Sequence, residues 1–391
     1  MEKSEKNFKE YLGPVLILTS IFSINFMARI ILAPLLPVIE SDLGLSHTEA
    51  GSLFLLISAG YFLSLLSSSF ITSIISHKRT IFLSFFALGL ALIITSRTQG
   101  LWGIRLALVF VGVAAGPYLP SGIATITTLV HKQHWGKVLA IHELAPNSSL
   151  ILAPLIAEAV LAGFTWRSTF IVLSLASIIM AGIFGIFGRG GEFRAETPNT
   201  ESYRRLWKNP SLWILVILFG LGIGIVFGVF SMLSLYLVIE HGLERNWANT
   251  LISISRIASL GVVLIGGWAT DRFGSRKILT LVLVMTGALT LGLGIVPTSW
   301  IAVIIFLQPT IGACFFPAAL SALSNVSSPR ERNLVVSLTI PLSYMIGAGA
   351  FPALIGLIGD LKSIALGMVL VGALTLGGAL LPRYLKFYDQ D

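Results

Sequence analysis

Charge is scarce in this 391-residue sequence. Asp, Glu, Lys and Arg together make up 11% of it, against roughly 25% in soluble domains. With 55% hydrophobic residues and a mean hydropathy of +0.89, it carries more apolar surface than one soluble core could hide. The composition therefore argues against a water-soluble enzyme and, despite a net charge of +8, against a nucleic-acid partner. The lipid bilayer is the expected solvent. Cysteine is nearly missing as well. Cys314 stands alone, so no intrachain disulfide forms and CxxC and Cys/His metal spacings are ruled out. There is no P-loop and no H-E-x-x-H, which argues against an ATP-driven pump and a metal enzyme, and no cofactor is expected. The opening MEKSEKNFKEYLG is mixed in charge and no small-residue cleavage site follows it, so the first apolar segment is expected to remain as a span.

What the sequence has instead is long apolar runs. A spanning helix needs about 20 such residues, and twelve segments qualify: 12–36, 49–73, 80–97, 102–129, 138–162, 167–188, 211–238, 247–270, 277–296, 299–325, 333–358 and 363–383. They predict an all-α integral membrane protein with six helices in 1–188, a polar linker over 189–210 and six more in 211–391. The distribution of Lys and Arg sets the orientation. With both termini on the cytoplasmic side of an inner membrane, nineteen of the 26 Lys and Arg fall on that side. The outer loops hold Arg97, Arg167, Arg245 and Lys362, while Arg29, Arg105 and Arg256 lie within spans.

The two halves echo each other. Val38-Ile39-Glu40 with Gly44 matches Val238-Ile239-Glu240 with Gly242, Tyr118-Leu119-Pro120 matches Phe315-Phe316-Pro317, and Pro146 matches Pro341. An even number of helices per half implies a parallel repeat about an axis along the membrane normal. Between spans 8 and 9 stands Gly266-Gly267-Trp268-Ala269-Thr270-Asp271-Arg272-Phe273-Gly274-Ser275-Arg276-Lys277. This resembles the G-x-x-x-D-R-x-G-x-R-[KR] loop of the major facilitator superfamily. Arg105 with Gly112 and Gly116, and Gly163-Phe164-Thr165-Trp166-Arg167 opening span 6, resemble further superfamily patterns. The resemblance covers nearly the whole chain. It implies two six-helix bundles around one central pathway lined by spans 1, 4, 7 and 10 and completed by parts of 2, 5, 8 and 11, in a protein expected to work as a monomer. In the signature loop, Gly266 and Gly267 are expected to permit close packing, Asp271 to accept from a helix N-terminus or an arginine, and Arg272 and Arg276 to hold the inner face. The corresponding first-half loop departs from the pattern: Ser73 replaces the Asp and Ser76 the Gly, so the inner gate on the first half is expected to rely on other contacts.

Ionisable groups within a span are costly, roughly 2.5–3.5 kcal/mol on insertion scales, and mark candidate sites. Arg29, one turn after Asn25, and Arg256, at middle depth of span 8, suit a carboxylate or phosphate, because a guanidinium offers two parallel donors. Organic-anion members of the superfamily often carry such arginines. Tyr61, Tyr118, Asn147, Tyr236 and Tyr344 are further polar groups expected to line the site. His142 and Glu143 are candidates for carrying a coupling proton. Arg105 and Glu158, at similar outer depth, are expected to pair. The leading expectation is a proton-coupled transporter of a small organic anion such as a monocarboxylate. An exporter of hydrophobic or cationic drugs is the main alternative, with a membrane-embedded enzyme or sensor a distant third.

Overall fold

The computed structural model describes residues 8–195, 207–326 and 332–387. Lys3, Lys6, Arg204, Arg205, Arg330 and residues 196–206 of the expected linker lie outside the described residues. Among the described residues the regular structure is entirely helical, and twelve helices are long and apolar enough to cross a membrane. They are α1 Glu10–Leu43, α2 His47–Ile74, α3 His77–Arg97, α4 Gly100–Leu129, α5 Lys132–Leu161, α6 Trp166–Phe187, α7 Pro210–Ile239, α8 Arg245–Phe273, α9 Ser275–Leu293, α10 Thr298–Val326, α11 Val335–Leu361 and α12 Ile364–Tyr384.

All twelve expected spans are present. The largest boundary difference is α1, which runs on past 36 to Leu43. The helix is interrupted at Ile31 and restarts at Leu32. Pro34 then falls in a first turn, where its missing N–H leaves no partner unsatisfied. The internal repeat is visible in the backbone. Gly44 after α1 and Gly242 after α7 take φ of +62° and +63°, a left-handed stop that glycine adopts without strain. The Tyr118 and Phe315 motifs each restart a broken helix: α4 is interrupted between Ala115 and Tyr118, α10 between Gly312 and Phe315. Three further irregularities lie in the second half. Helix α8 is broken at Arg256, and α7 and α11 each contain a π turn, Gly224–Gly228 and Met345–Ala350.

The chain forms two compact units. One comprises Met1–Ile31, Gly60–Ala153 and Ala159–Pro198, the other Leu32–Ala59, Pro154–Glu158 and Asn199–Asp391. Within the first, backbones approach at glycine. A Cβ on Gly60 would lie 2.3 Å from the Val109 carbonyl oxygen, and Ser174 donates to the Gly89 carbonyl at 2.7 Å. The degenerate first-half loop is anchored by the stretch that follows α6. The N–H groups of His77 and Lys78, orphan donors at the start of α3, donate to the carbonyls of Phe193 and Gly191 at 3.1 and 2.8 Å. Ala195 N–H returns a bond to Thr72 at 3.0 Å, and Lys78 Nζ reaches Glu192 at 3.3 Å. Gly191 has φ +80°, and a Cβ there would meet Thr125 Oγ1 at 2.7 Å. This strap supplies contacts that the missing Asp and Gly do not.

In the second unit, carboxylates cap helix starts, where the backbone N–H groups and dipole favour negative charge. Asp360 accepts from the N–H groups of His47 and Thr48 at 2.9 and 2.8 Å. Glu240 accepts from those of Ile364 and Ala365. Helices α7 and α11 touch backbone to backbone: a Cβ on Gly347 would lie 2.5 Å from both Gly220 O and Gly224 N, and one on Gly228 would lie 2.5 Å from Gly347 O.

Candidate functional site

Arg256 is 4% exposed and sits at the break in α8. Its Nη2 donates to the Val226 carbonyl at 3.2 Å, and its guanidinium lies 5.0 Å from the centroid of the Phe230 ring. Val226 belongs to the π turn of α7, where Val229 N–H bonds Gly224 O in an i to i+5 pattern. Such turns recur at functional positions because they re-aim backbone groups. A guanidinium has five N–H donors. Arg256 has no carboxylate partner among the described residues, and its Nε is buried without an acceptor. It is a fixed positive charge, partly satisfied by a carbonyl and a ring face, with donors to spare.

Arg29, in the other unit, is also 4% exposed. Its guanidinium lies 4.2 Å from the Tyr61 ring centroid and 4.9 Å from that of Phe26, a cation–π cradle. Tyr61 is thus brought to Arg29, as its place in the apolar run allows. Asn25 is turned to other use: its Nδ2 donates to the Ala115 carbonyl at 2.9 Å, tying α1 to α4 at the break.

His142 and Tyr118 form a buried pair in the same unit. The Tyr118 hydroxyl donates to the Leu18 carbonyl at 2.5 Å and lies 3.1 Å from His142 Nε2. One hydroxyl hydrogen cannot serve both, so Nε2 is the donor to the tyrosine oxygen. That leaves Nδ1 as the basic nitrogen, buried and without a partner among the described residues. Phe22 stacks on the imidazole at 4.5 Å. Glu143, one residue on, points elsewhere and is exposed; Asn147 donates to the Glu143 carbonyl at 2.9 Å. His142 and Glu143, expected together as a proton site, occupy different environments because successive helical residues are about 100° apart.

The remaining candidates hold helices. Tyr236 donates to the Leu293 carbonyl at 2.5 Å and meets His241 Nε2 at 2.8 Å. Tyr344 is buried immediately before the π turn of α11. Glu158 corrects the sequence expectation: both its oxygens go to Arg245, at 2.9 and 3.0 Å, and Asn249 adds a bond of 2.6 Å. Equal depth along neighbouring helices suggested Arg105. The partner comes instead from α8, more than eighty residues away, and Arg105 lies over the Trp102 ring. In the signature loop, Gly266 packs against Cys314, whose Cα would be 2.8 Å from an added Cβ, whereas Gly267 faces open space. Of the two glycines, only Gly266 provides the close packing expected of both. Gly274 takes φ +87°, Asp271 is exposed, Arg272 lies over Trp268 at 5.9 Å, and Arg276 donates to the Leu385 carbonyl. Gln308, which the sequence reading passed over, is 3% exposed and donates to Ile225 O at 2.7 Å. Its signal was available: a lone amide in the apolar run Ile304-Ile305-Phe306-Leu307-Gln308-Pro309.

A family model described as Major Facilitator Superfamily matches residues 18–307 and again 246–390. The chain belongs to the major facilitator superfamily. It is accordingly a multi-pass membrane transporter rather than an enzyme. Among curated superfamily relatives, the probable nitrate transporter NarT of Staphylococcus haemolyticus (strain JCSC1435) is 26% identical over 278 residues, 69% of this chain and 70% of that protein. The probable nitrate transporter NarT of Staphylococcus aureus (strain JH9) is likewise 26% identical over 278 residues, covering 69% of each. Solved structures of the same fold include a bacterial homolog to the human lysosomal transporter Spinster, inward-facing and unoccupied. It matches with TM-score 0.84 at 15% identity, over 99% of this chain and 100% of that one. A D-xylose-proton symporter matches with TM-score 0.77 at 12% identity, over 96% and 98%.

Proposed function

We propose that this superfamily member is a secondary transporter of a small planar monoanion, nitrate or a monocarboxylate, worked by alternating access and coupled to protons. The observation that carries the reading is Arg256, a buried guanidinium at a helix break with spare donors and no carboxylate partner among the described residues. Nitrate and carboxylate present the same coplanar pair of oxygens to a guanidinium fork. The sequence reading favours a carboxylate. The relatives named for nitrate extend the proposal to an inorganic anion. Arg29, cradled by Tyr61 and Phe26, is the second anion contact proposed. His142, with Nδ1 unpartnered, is the proton carrier proposed for the coupling step, and Glu143, exposed beside it, the group that exchanges protons with water. The protein is proposed to act as a monomer in the cell membrane with both termini cytoplasmic.

The test is uptake into proteoliposomes of nitrate, acetate and lactate, with and without an inward proton gradient. Gradient-stimulated uptake of at least one anion is expected, and its loss in Arg256→Ala with an unchanged gel-filtration profile. Transport of a cationic or neutral compound with none of the anions moved would overturn the proposal in favour of an exporter.

A further inference from the structure

The π turn of α7 offers two adjacent carbonyls to buried side chains from two other helices. Val226 O accepts from Arg256 at 3.2 Å. Ile225 O accepts from Gln308 of α10 at 2.7 Å. The same amide nitrogen of Gln308 lies 3.3 Å from Thr290 Oγ1 of α9, so the side chain is held on both sides. Gln308 is 3% exposed and Thr290 fully buried. The turn itself is pinned from behind by α11, whose Gly347 leaves no room for a Cβ against Gly220 and Gly224.

A guanidinium with five donors will take a second acceptor when one is within reach, and consecutive carbonyls on one helix turn are close neighbours. The Ile225 carbonyl, next along the same turn, carries the Gln308 amide, while Arg256 is on Val226. We propose that Gln308 is a positioning residue for Arg256. By taking one of the two acceptor positions of the Ile225 carbonyl it biases the guanidinium towards Val226 and leaves more of its donors for the transported anion. The proposal rests on the anion reading of Arg256, but its geometric half stands independently of transport.

The decisive variant is Gln308→Met, which keeps length and removes the donor. A crystal structure of that variant is expected to show Arg256 bonded to both Ile225 O and Val226 O. A guanidinium still on Val226 alone would overturn the proposal, whatever the transport result. In proteoliposomes with nitrate and acetate as probes, KM is expected to rise about tenfold with maximal rate within about twofold, the signature of lost binding rather than lost turnover. In an Arg256→Lys background the same substitution is expected to add little, because residues acting through one another are non-additive. Full additivity would mean that Gln308 serves only packing and would overturn the proposal. Should Gln308→Met fail to fold, Thr290→Val removes the second anchor of the amide. A smaller KM rise in the same direction is expected, and no change in KM or in the position of Arg256 would be fatal. Wild-type protein that moves neither anion, combined with the doubly bonded Arg256 in the variant, would sink the functional reading and leave the positioning intact.

Discussion

A guanidinium taken out of water keeps its charge, since arginine does not deprotonate in proteins, and what surrounds it decides what it does. Arg256 has one carbonyl and one ring face. Arg256→Lys keeps the charge but loses the planar fork, so anion uptake is expected to fall at least about tenfold while the protein still purifies as one species. His142 is tested separately from it. His142→Gln retains an N–H for the Tyr118 oxygen but has no basic nitrogen. Anion counterflow without a gradient is expected to persist and gradient stimulation to vanish; a fully gradient-driven variant would move the coupling role to Glu143. His241, between spans, has its pKa lowered by burial, a shift that neighbouring Glu240 partly opposes. Its neutral ring bridges Thr298 and Tyr236. A depressed histidine pKa stabilises the fold above the unfolded value of about 6.5, and that stability is lost as pH falls below it. Thermal stability is therefore expected to drop as pH falls below about 6.5, and His241→Gln to flatten that drop.

Among the elements, those that carry regular apolar runs were legible and those that carry irregularity were not. Hydropathy locates all twelve spans, and the paired glycines after Glu40 and Glu240 announce two matching helix stops. The break at Arg256 has no proline or glycine beside it, so nothing local marks it. The π turns of α7 and α11 sit on Gly224, Gly228, Gly347 and Gly349, residues whose need becomes visible only when the two backbones are seen in contact. Tyr118 and Tyr236 look alike as polar groups in apolar spans, yet each hydroxyl is committed to a carbonyl on another helix, a pairing that sequence position does not encode. Gly347→Ala would drive a methyl into backbone atoms of α7 at 2.5 Å. Because both sides are main chain, relief requires the helices to part, and a stability loss of about 2 kcal/mol or more is expected in thermal unfolding, in the range of core overpacking. Gly267→Ala, with open space around it, is the control and should be silent.

For the whole molecule, the asymmetry of Lys and Arg makes a prediction that the fold alone does not. Cys314 is half-buried, so a Cys314→Ala background is suited to single-cysteine labelling. In intact cells a membrane-impermeant thiol reagent is expected to label Glu244→Cys, beyond α7, and to leave Lys277→Cys, at the start of α9, unlabelled until the membrane is opened. The reverse pattern would invert the topology.

The strap after α6 bears on where this chain could be cut. Counted by hydrophobic runs, the first half ends near 188, and a gene divided there would seem to separate two complete bundles. The carbonyls of Gly191 and Phe193 nevertheless complete the first turn of α3. A fragment ending at Gly188 would leave those N–H groups bare, whereas one ending after Ala195 keeps them covered. Co-expressed with the remainder of the chain, the longer fragment should reassemble a working transporter and the shorter one should be degraded.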